Sequence, residues 1–223
     1  MPLSPLNVSA VVPAFNEEKT IGRVVRTLVS SGLFRDVIVV SDGSTDQTAD
    51  EARKAGASRV FNLSQNHGKG AAIMHGVMHT NSSILFFCDA DLIGLNAEHI
   101  RALIEPVARG ACAMCIGLRD RGFLLDWLQS RLPLISGARV LRRSLFESVP
   151  DSYLQGYMLE TALNYFCRLH GESICVRKLA GLHVRRKMQK VGILIGLYQY
   201  LRMVMELMRA FILVRTAGWK GEL

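Results

Sequence analysis

Several features are scarce in this 223-residue chain, and each scarcity excludes something. Aromatic residues make up only 7% and do not interleave with the Lys and Arg clusters. A single-strand nucleic-acid groove needs stacking platforms between its cations, so no nucleic-acid partner is expected. The five cysteines are an odd number and form no disulfide framework. Cys112 and Cys115 form a C-x-x-C with no second pair and no nearby His. They lie in an apolar run whose alternation would point them to opposite faces, and they read as reduced core thiols. No secretory leader is expected before Asn7, so the expected compartment is cytoplasmic. No Gly-x-Gly-x-x-Gly follows the first strand, which argues against a dinucleotide fold. Leu63 stands where the first glycine of a P-loop would be. The longest apolar stretch, about 191–214, is interrupted by Arg202, Glu206 and Arg209, so it is not a clean membrane span.

Hydrophobic residues make up 49%, enough for one domain with a sizeable core. Four short apolar runs alternate with helical segments: Asn7 to Val12 ended by Pro13, Asp36 to Ser41, Arg59 to Leu63, and Ser83 to Cys88. The helices between them are expected at about Glu17–Ser31, capped by Asn16, then up to Ala55, then Ala71–Thr80. Strand–helix alternation of this kind predicts a parallel α/β sheet. Further on, the pattern suggests a helix over Ala97–Arg109, a strand over Cys112–Leu118, and helices over Phe123–Leu132, Leu141–Val149 and Tyr157–His170. A short strand over Ser173–Arg177 follows the last of these.

The fourth run ends abruptly in Asp89-Ala90-Asp91. Ligands of open α/β sheets sit outside the carboxyl ends of the strands. Two carboxylates there suit a hard divalent cation, Mg²⁺ or Mn²⁺, that takes its other ligands from water and phosphate. The first three runs also end in polar loops: Pro13 to Glu18, Asp42 to Asp46, and Asn66 to Gly70. All four loops should converge on one edge. Lys69, on a Gly-rich turn opening a helix, offers a cation beside free backbone N–H groups, a suitable seat for an anion.

Net charge is +8. Its clusters are Arg139, Arg142 and Arg143, then Arg177, Lys178, Arg185, Arg186, Lys187 and Lys190. Such a surface attracts phosphorylated substrates or anionic lipid. The helix expected over 191–214 carries Arg202, Glu206 and Arg209 on one face and is otherwise apolar. Two readings stand open for it: packing on the domain or on a second copy in a homodimer, or lying on the inner face of a membrane as a peripheral anchor. The chain is therefore divided into a domain over 1–190 and an appendage over 191–223.

Taken together, these motifs resemble the family 2 glycosyltransferases over about residues 8–190. Val12 to Glu18 and Asp42 to Asp46 resemble that family's nucleotide motifs, and Asp89-Ala90-Asp91 its metal motif. Ser136-Gly137-Ala138-Arg139 resembles its acceptor-side segment and Gly156 to Glu160 its later acidic segment. Among its members, the polyprenyl (dolichyl)-phosphate sugar transferases and the glucosyl-3-phosphoglycerate synthases are similar.

The resemblance implies a GT-A fold, with a mostly parallel sheet and helices on both faces. It implies transfer of one sugar from a nucleotide-diphosphate sugar to a phosphorylated or lipid-linked acceptor. Pro13, Ala14, Phe15, Glu17, Asp42, Lys69, Asp89 and Ala90 would bind the donor. Asp89 and Asp91 would hold the metal, with His183 as a further ligand. Arg119, Ser136, Gly137 and Arg139, with Arg143, would bind the acceptor. Asp91 and Glu160 would be catalytic, Glu160 acting on or orienting the nucleophile. The Gln-x-x-Arg-Trp segment of the processive members is absent, which speaks against polymerisation.

Overall fold

A computed structural model describes residues 7–119, 136–154 and 158–184. Its strands are β1 (Val8–Ala14), β2 (Asp36–Asp42), β3 (Arg59–Leu63), β4 (Ile84–Cys88), β5 (Leu92–Ile93), β6 (Met114–Arg119), β7 (Ala138–Arg142), β8 (Ile174–Leu179) and β9 (His183–Val184). Its helices are α1 (Ile21–Ser30), α2 (Thr48–Lys54), α3 (Lys69–Met78), α4 (Ala97–Ala108), α5 (Arg143–Glu147) and α6 (Met158–Leu169). The helix expected over Phe123–Leu132, the basic run Arg185–Lys190 and the C-terminal appendage lie outside the described residues.

Seven strands form one sheet in the order β3-β2-β1-β4-β7-β6-β8, and β5 pairs with β9 beside it. Every neighbouring pair in the large sheet is parallel except those made by β7, which runs against β4 and β6. The period-2 alternation of side chains then sorts the core into two layers. Val8, Ala10, Val12, Phe86, Cys88 and Val140 pack with α1 and α4 on one face. Val11, Leu85, Phe87, Ile116 and Leu141 pack with α3, α5 and α6 on the other. Central parallel strands are covered on both sides, which is why they read as unbroken apolar runs.

Three expectations are corrected. First, β1 continues through Pro13 to Ala14, paired with β2 to the end. Its ladder to β4 stops earlier, at Val11 opposite Phe87, so β1 has already parted from that neighbour where the proline lacks a donor. Second, the segment read as the start of a helix at Leu141 is strand β7, and only Arg143–Glu147 is helical. A short apolar run fits either element on periodicity alone. Third, Cys112 and Cys115 pack in the same core layer, because Cys112 precedes the strand and is not bound by its alternation. Both thiols are free and buried, and burial raises them first, to about 12 and about 11, with Cys175 adding to each.

Candidate active site

The carboxyl ends of β1, β2, β3 and β4 meet at one edge, and the loops there brace one another. Asn16 has φ 53° and does not cap α1; its Oδ1 accepts from Thr45 N (2.9 Å), while its own N–H donates to Ser44 Oγ (3.1 Å). The N–H groups of Glu17 and Glu18 donate to Thr48 Oγ1 (2.8 Å) and Asp46 Oδ2 (3.2 Å). These inter-loop bonds satisfy donors that a helix start would otherwise leave open, and α1 begins only at Ile21. Gly43 permits the close packing: φ is 69°, and a Cβ there would lie 2.5 Å from Asn66 N.

Asp42 joins the second loop to the third. It is 3% exposed, and its oxygens accept from His67 N (2.8 Å) and Gly68 N (2.7 Å). The sequence reading gave Asp42 to the donor's base or ribose. In the structure its carboxylate holds the turn that launches α3, where Lys69 is the first residue. Phe15, at 47% exposure, stands open on the same wall, above buried Pro13 and Ala14.

Lys69 is the centre of the site. Its Nζ lies 2.7 Å from Asp89 Oδ1 and 2.7 Å from Glu160 Oε1. Burial alone would lower the lysine's pKa, but the two carboxylates more than reverse this and hold it well above its ordinary value. The ammonium is therefore a fixed cation. Glu160 and Asp91 are themselves buried, at 6% and 8% exposure. Lys69, Asp89 and Glu160 line a small cleft with Pro13, Phe87, Gly137 and Leu159.

Gly137 is needed against Asp89. Its carbonyl accepts from Asp89 N (2.7 Å), and a Cβ on it would come within 2.7 Å of Asp89 Oδ2. The antiparallel course of β7 sets this contact, since Ala138 pairs with Cys88 at the site edge. The same course carries Arg142 and Arg143 to the opposite edge, where Arg142 pairs with Ile84. Arg143 donates there to the carbonyls of Ser82 (2.8 Å) and Thr80 (2.5 Å). It does not face an acceptor.

Arg139, expected to bind the acceptor, also lines this cleft. It is 2% exposed, and its Nη1 donates to Glu160 O (3.3 Å) and Asn164 Oδ1 (3.4 Å). Alternation along β7 turns it toward α6, beneath the acidic residue rather than out to solvent. Burial lowers its pKa while Glu160 and Asp89 oppose the shift. Ser136 is buried in the wall of the same cleft, with its hydroxyl within hydrogen-bonding reach of the carbonyls of Gly117 and Ala138. Arg119 ends β6 at the site edge, and its side chain lies outside the described residues, as do Gly156 and Tyr157. Asn164 escaped the sequence reading, although its place four residues after Glu160 puts both on one helix face.

His183 reaches the site edge through its pairing with Ile93, two residues beyond Asp91, and is exposed. Among the described residues no three or more His, Cys, Asp or Glu side chains are grouped to hold a metal alone. The two aspartates still suit a hard cation, because Mg²⁺-type sites use one or two carboxylates and fill the shell with water and substrate phosphate. Among the described residues no helix is long and apolar enough to cross a membrane.

Known proteins resemble this chain in sequence and fold. Over 110 residues the chain is 37% identical to a 4,4'-diaponeurosporenoate glycosyltransferase of Staphylococcus haemolyticus, a match covering 46% of this chain and 29% of that protein. Its counterpart in Staphylococcus aureus (strain MRSA252) is 38% identical over 102 residues, 44% of this chain and 27% of that one. The match thus spans under a third of the length of these relatives. Glucosyl-3-phosphoglycerate synthase from Mycobacterium tuberculosis, in complex with Mg²⁺ and uridine diphosphate, superposes with a TM-score of 0.71 at 27% identity, over 90% of this chain and 78% of that one. The same enzyme with Mn²⁺, UDP-glucose and phosphoglyceric acid gives 0.69 at 28% identity, over 83% and 74%. The sheet with β7 reversed and helices on both faces is thus the GT-A fold. The family model described as glycosyl transferase family 2 matches residues 9–185, and on that extent the chain belongs to glycosyltransferase family 2.

Proposed function

We propose that this protein transfers one sugar from a nucleotide-diphosphate sugar to a phosphorylated or lipid-linked acceptor. The observation that carries this reading is the ion-paired group Lys69, Asp89 and Glu160 at the carboxyl edge of a family 2 sheet. The braced loops give a rigid wall for the nucleoside, with Phe15 offering an exposed ring face for the base. Asp89 and Asp91 would hold Mg²⁺ or Mn²⁺, which neutralises charge on the departing diphosphate. Lys69, at the head of α3, sits where a cation and a helix N-terminus both favour that diphosphate.

Glu160 faces the cleft from the other side, on α6. For a hydroxyl acceptor it takes the proton or orients the oxygen. For an acceptor phosphate, already ionised, it orients only. Arg139 donates to the Glu160 carbonyl and to Asn164 on α6 and so steadies the helix that carries the carboxylate. The phosphoglyceric acid bound by the mycobacterial neighbour favours a small phosphorylated acid as a second form of the acceptor.

The test is release of nucleoside diphosphate from a panel of nucleotide-sugars with Mn²⁺ or Mg²⁺. Each donor is offered with phosphoglycerate or with a short polyprenyl phosphate in detergent. One acceptor should stimulate release and acquire the sugar, and Asp91→Asn should abolish it while leaving the melting curve in place. Full transfer by that variant, or in excess chelator, would overturn the metal role. Tight donor binding with no release under any acceptor would leave a nucleotide-sugar-binding scaffold.

A further inference from the structure

We propose that Lys69 is a resident counter-cation for the metal site, which yields Asp89 when a metal and a diphosphate arrive together. This rests on the functional reading above and concerns what holds the site together before the donor binds. The observation is where Lys69 sits. Its Nζ is on Asp89 Oδ1 at 2.7 Å, and Asp89 Oδ2 fills the space that a Cβ on Gly137 would need. A divalent cation that takes Asp89 as a ligand therefore competes with the ammonium for that carboxylate.

Charge explains why such a device would answer to the pair rather than to either partner. Asp89, Asp91 and Glu160 against Lys69 and Arg139 leave one net negative charge in this cluster. A bare divalent cation would make the cluster positive with Lys69 still in it. A bare diphosphate would add negative charge to carboxylates that are poorly solvated. A divalent metal with the diphosphate of a nucleotide-sugar is close to neutral and leaves the balance unchanged. It also offers Lys69 new oxygens in place of those it gives up. A lysine suits this exchange because its ammonium is a point charge on a flexible stem, with no fixed fork to align. Its partner on the other side, Glu160 Oε1, is released in the same movement and becomes available to the acceptor. Lys69 thus couples metal binding to diphosphate binding, and by linkage each raises the affinity for the other.

The test reads Mn²⁺ binding directly, by the free-ion electron paramagnetic resonance signal, without turnover. Wild type, Lys69→Met and Lys69→Arg are titrated with Mn²⁺ alone and with Mn²⁺ in the presence of UDP. Lys69→Met should bind bare Mn²⁺ about tenfold more tightly than wild type, because a competing charge next to Asp89 has gone. The enhancement of Mn²⁺ binding by UDP should shrink by about the same factor. Lys69→Arg, which keeps the charge, should hold bare Mn²⁺ as weakly as wild type. If Lys69→Met does not fold, Lys69→Gln removes the charge while keeping a hydrogen-bond donor, and the same outcome is expected.

Unchanged or weaker binding of bare Mn²⁺ in the uncharged variants would overturn the proposal and leave Lys69 as a diphosphate contact only. A different result bears on the reading beneath it. If wild type binds no Mn²⁺ even with UDP, or if Asp91→Asn binds it equally well, the metal site itself is refuted.

Discussion

The two edges of the sheet both bury polar clusters, but they are built on opposite principles. At the amino edge Ser9 Oγ meets Thr80 Oγ1 and Ser82 Oγ, each at 2.8 Å, and Arg143 donates to the carbonyls of Ser82, Thr80 and Val77. Apart from a long contact to Asp36 and a rim pairing with Glu147, those partners are neutral. At the carboxyl edge the partners are opposite charges: Lys69 against Asp89 and Glu160, with Arg139 beneath. Neutral hydrogen bonds to fixed carbonyls hold chain segments together and have nothing to exchange. Ion pairs beside a cleft can be traded for a ligand's charges. Arg139 and Arg143 make the lesson concrete: Arg139 on β7 lies under the site, and Arg143, four positions on and just past the end of that strand, ties down the end of α3.

Variants at the two edges should therefore separate in kind. The largest effect is expected for Glu160→Gln, with kcat down about 100-fold or more and UDP affinity within about threefold of wild type. Steady-state kinetics beside nucleotide titration would check it, and a loss confined to KM would turn Glu160 into a binding group. Gly137→Ala comes next. Its Cβ would push on Asp89 Oδ2 and on Leu92 Cδ2, so stability should fall by about 2 kcal/mol and Mn²⁺–UDP binding should weaken with it. Denaturant melts and the same metal titration measure both.

Arg143→Ala should show the reverse signature. Stability should fall by about 1–2 kcal/mol as carbonyls near the end of α3 lose their donor, while Mn²⁺–UDP affinity stays within twofold. A change in ligand binding there would break the contrast between the edges.

The smallest effect concerns pH, again at the amino edge. His75 lies on the outer stretch of α3 with Phe61 and His79, ring centroids 4.9 and 4.7 Å away. Burial first, then the neighbouring His79, lowers its pKa below the ordinary value of 6.5. The unfolded chain then takes up the proton first as pH falls. This contribution to stability is complete above about pH 6.5 and is lost as pH drops through the lowered folded value. His75→Phe should flatten the fall of stability as pH drops below about 6.5, without touching ligand affinity.

The first half of the chain was read closely from its sequence. β2 and β3 fall within a residue of their expected bounds, and Asp89 and Asp91 follow β4 as expected. Lys69 was singled out by its turn, though not its bond to Glu160, ninety-one residues away. The loops were recognised as polar, yet the bonds from Asp46 and Thr48 to the Glu17–Glu18 backbone appear only when two loops are placed side by side. The segment from Ser136 was misread. Its apolar core suits helix or strand, and its arginines look alike as a cluster on paper.

What the sequence determined alone was whatever a short stretch encodes: the apolar period of each element, the breaks between them, and carboxylates placed directly after a buried strand. Strand direction has no such local code, because it depends on which distant edge is free when β7 docks between β4 and β6. Tertiary structure alone therefore decided that Arg139 would lie buried under Glu160, that Arg143 would leave the site, and that Lys69 would bridge two acids from separate halves of the chain.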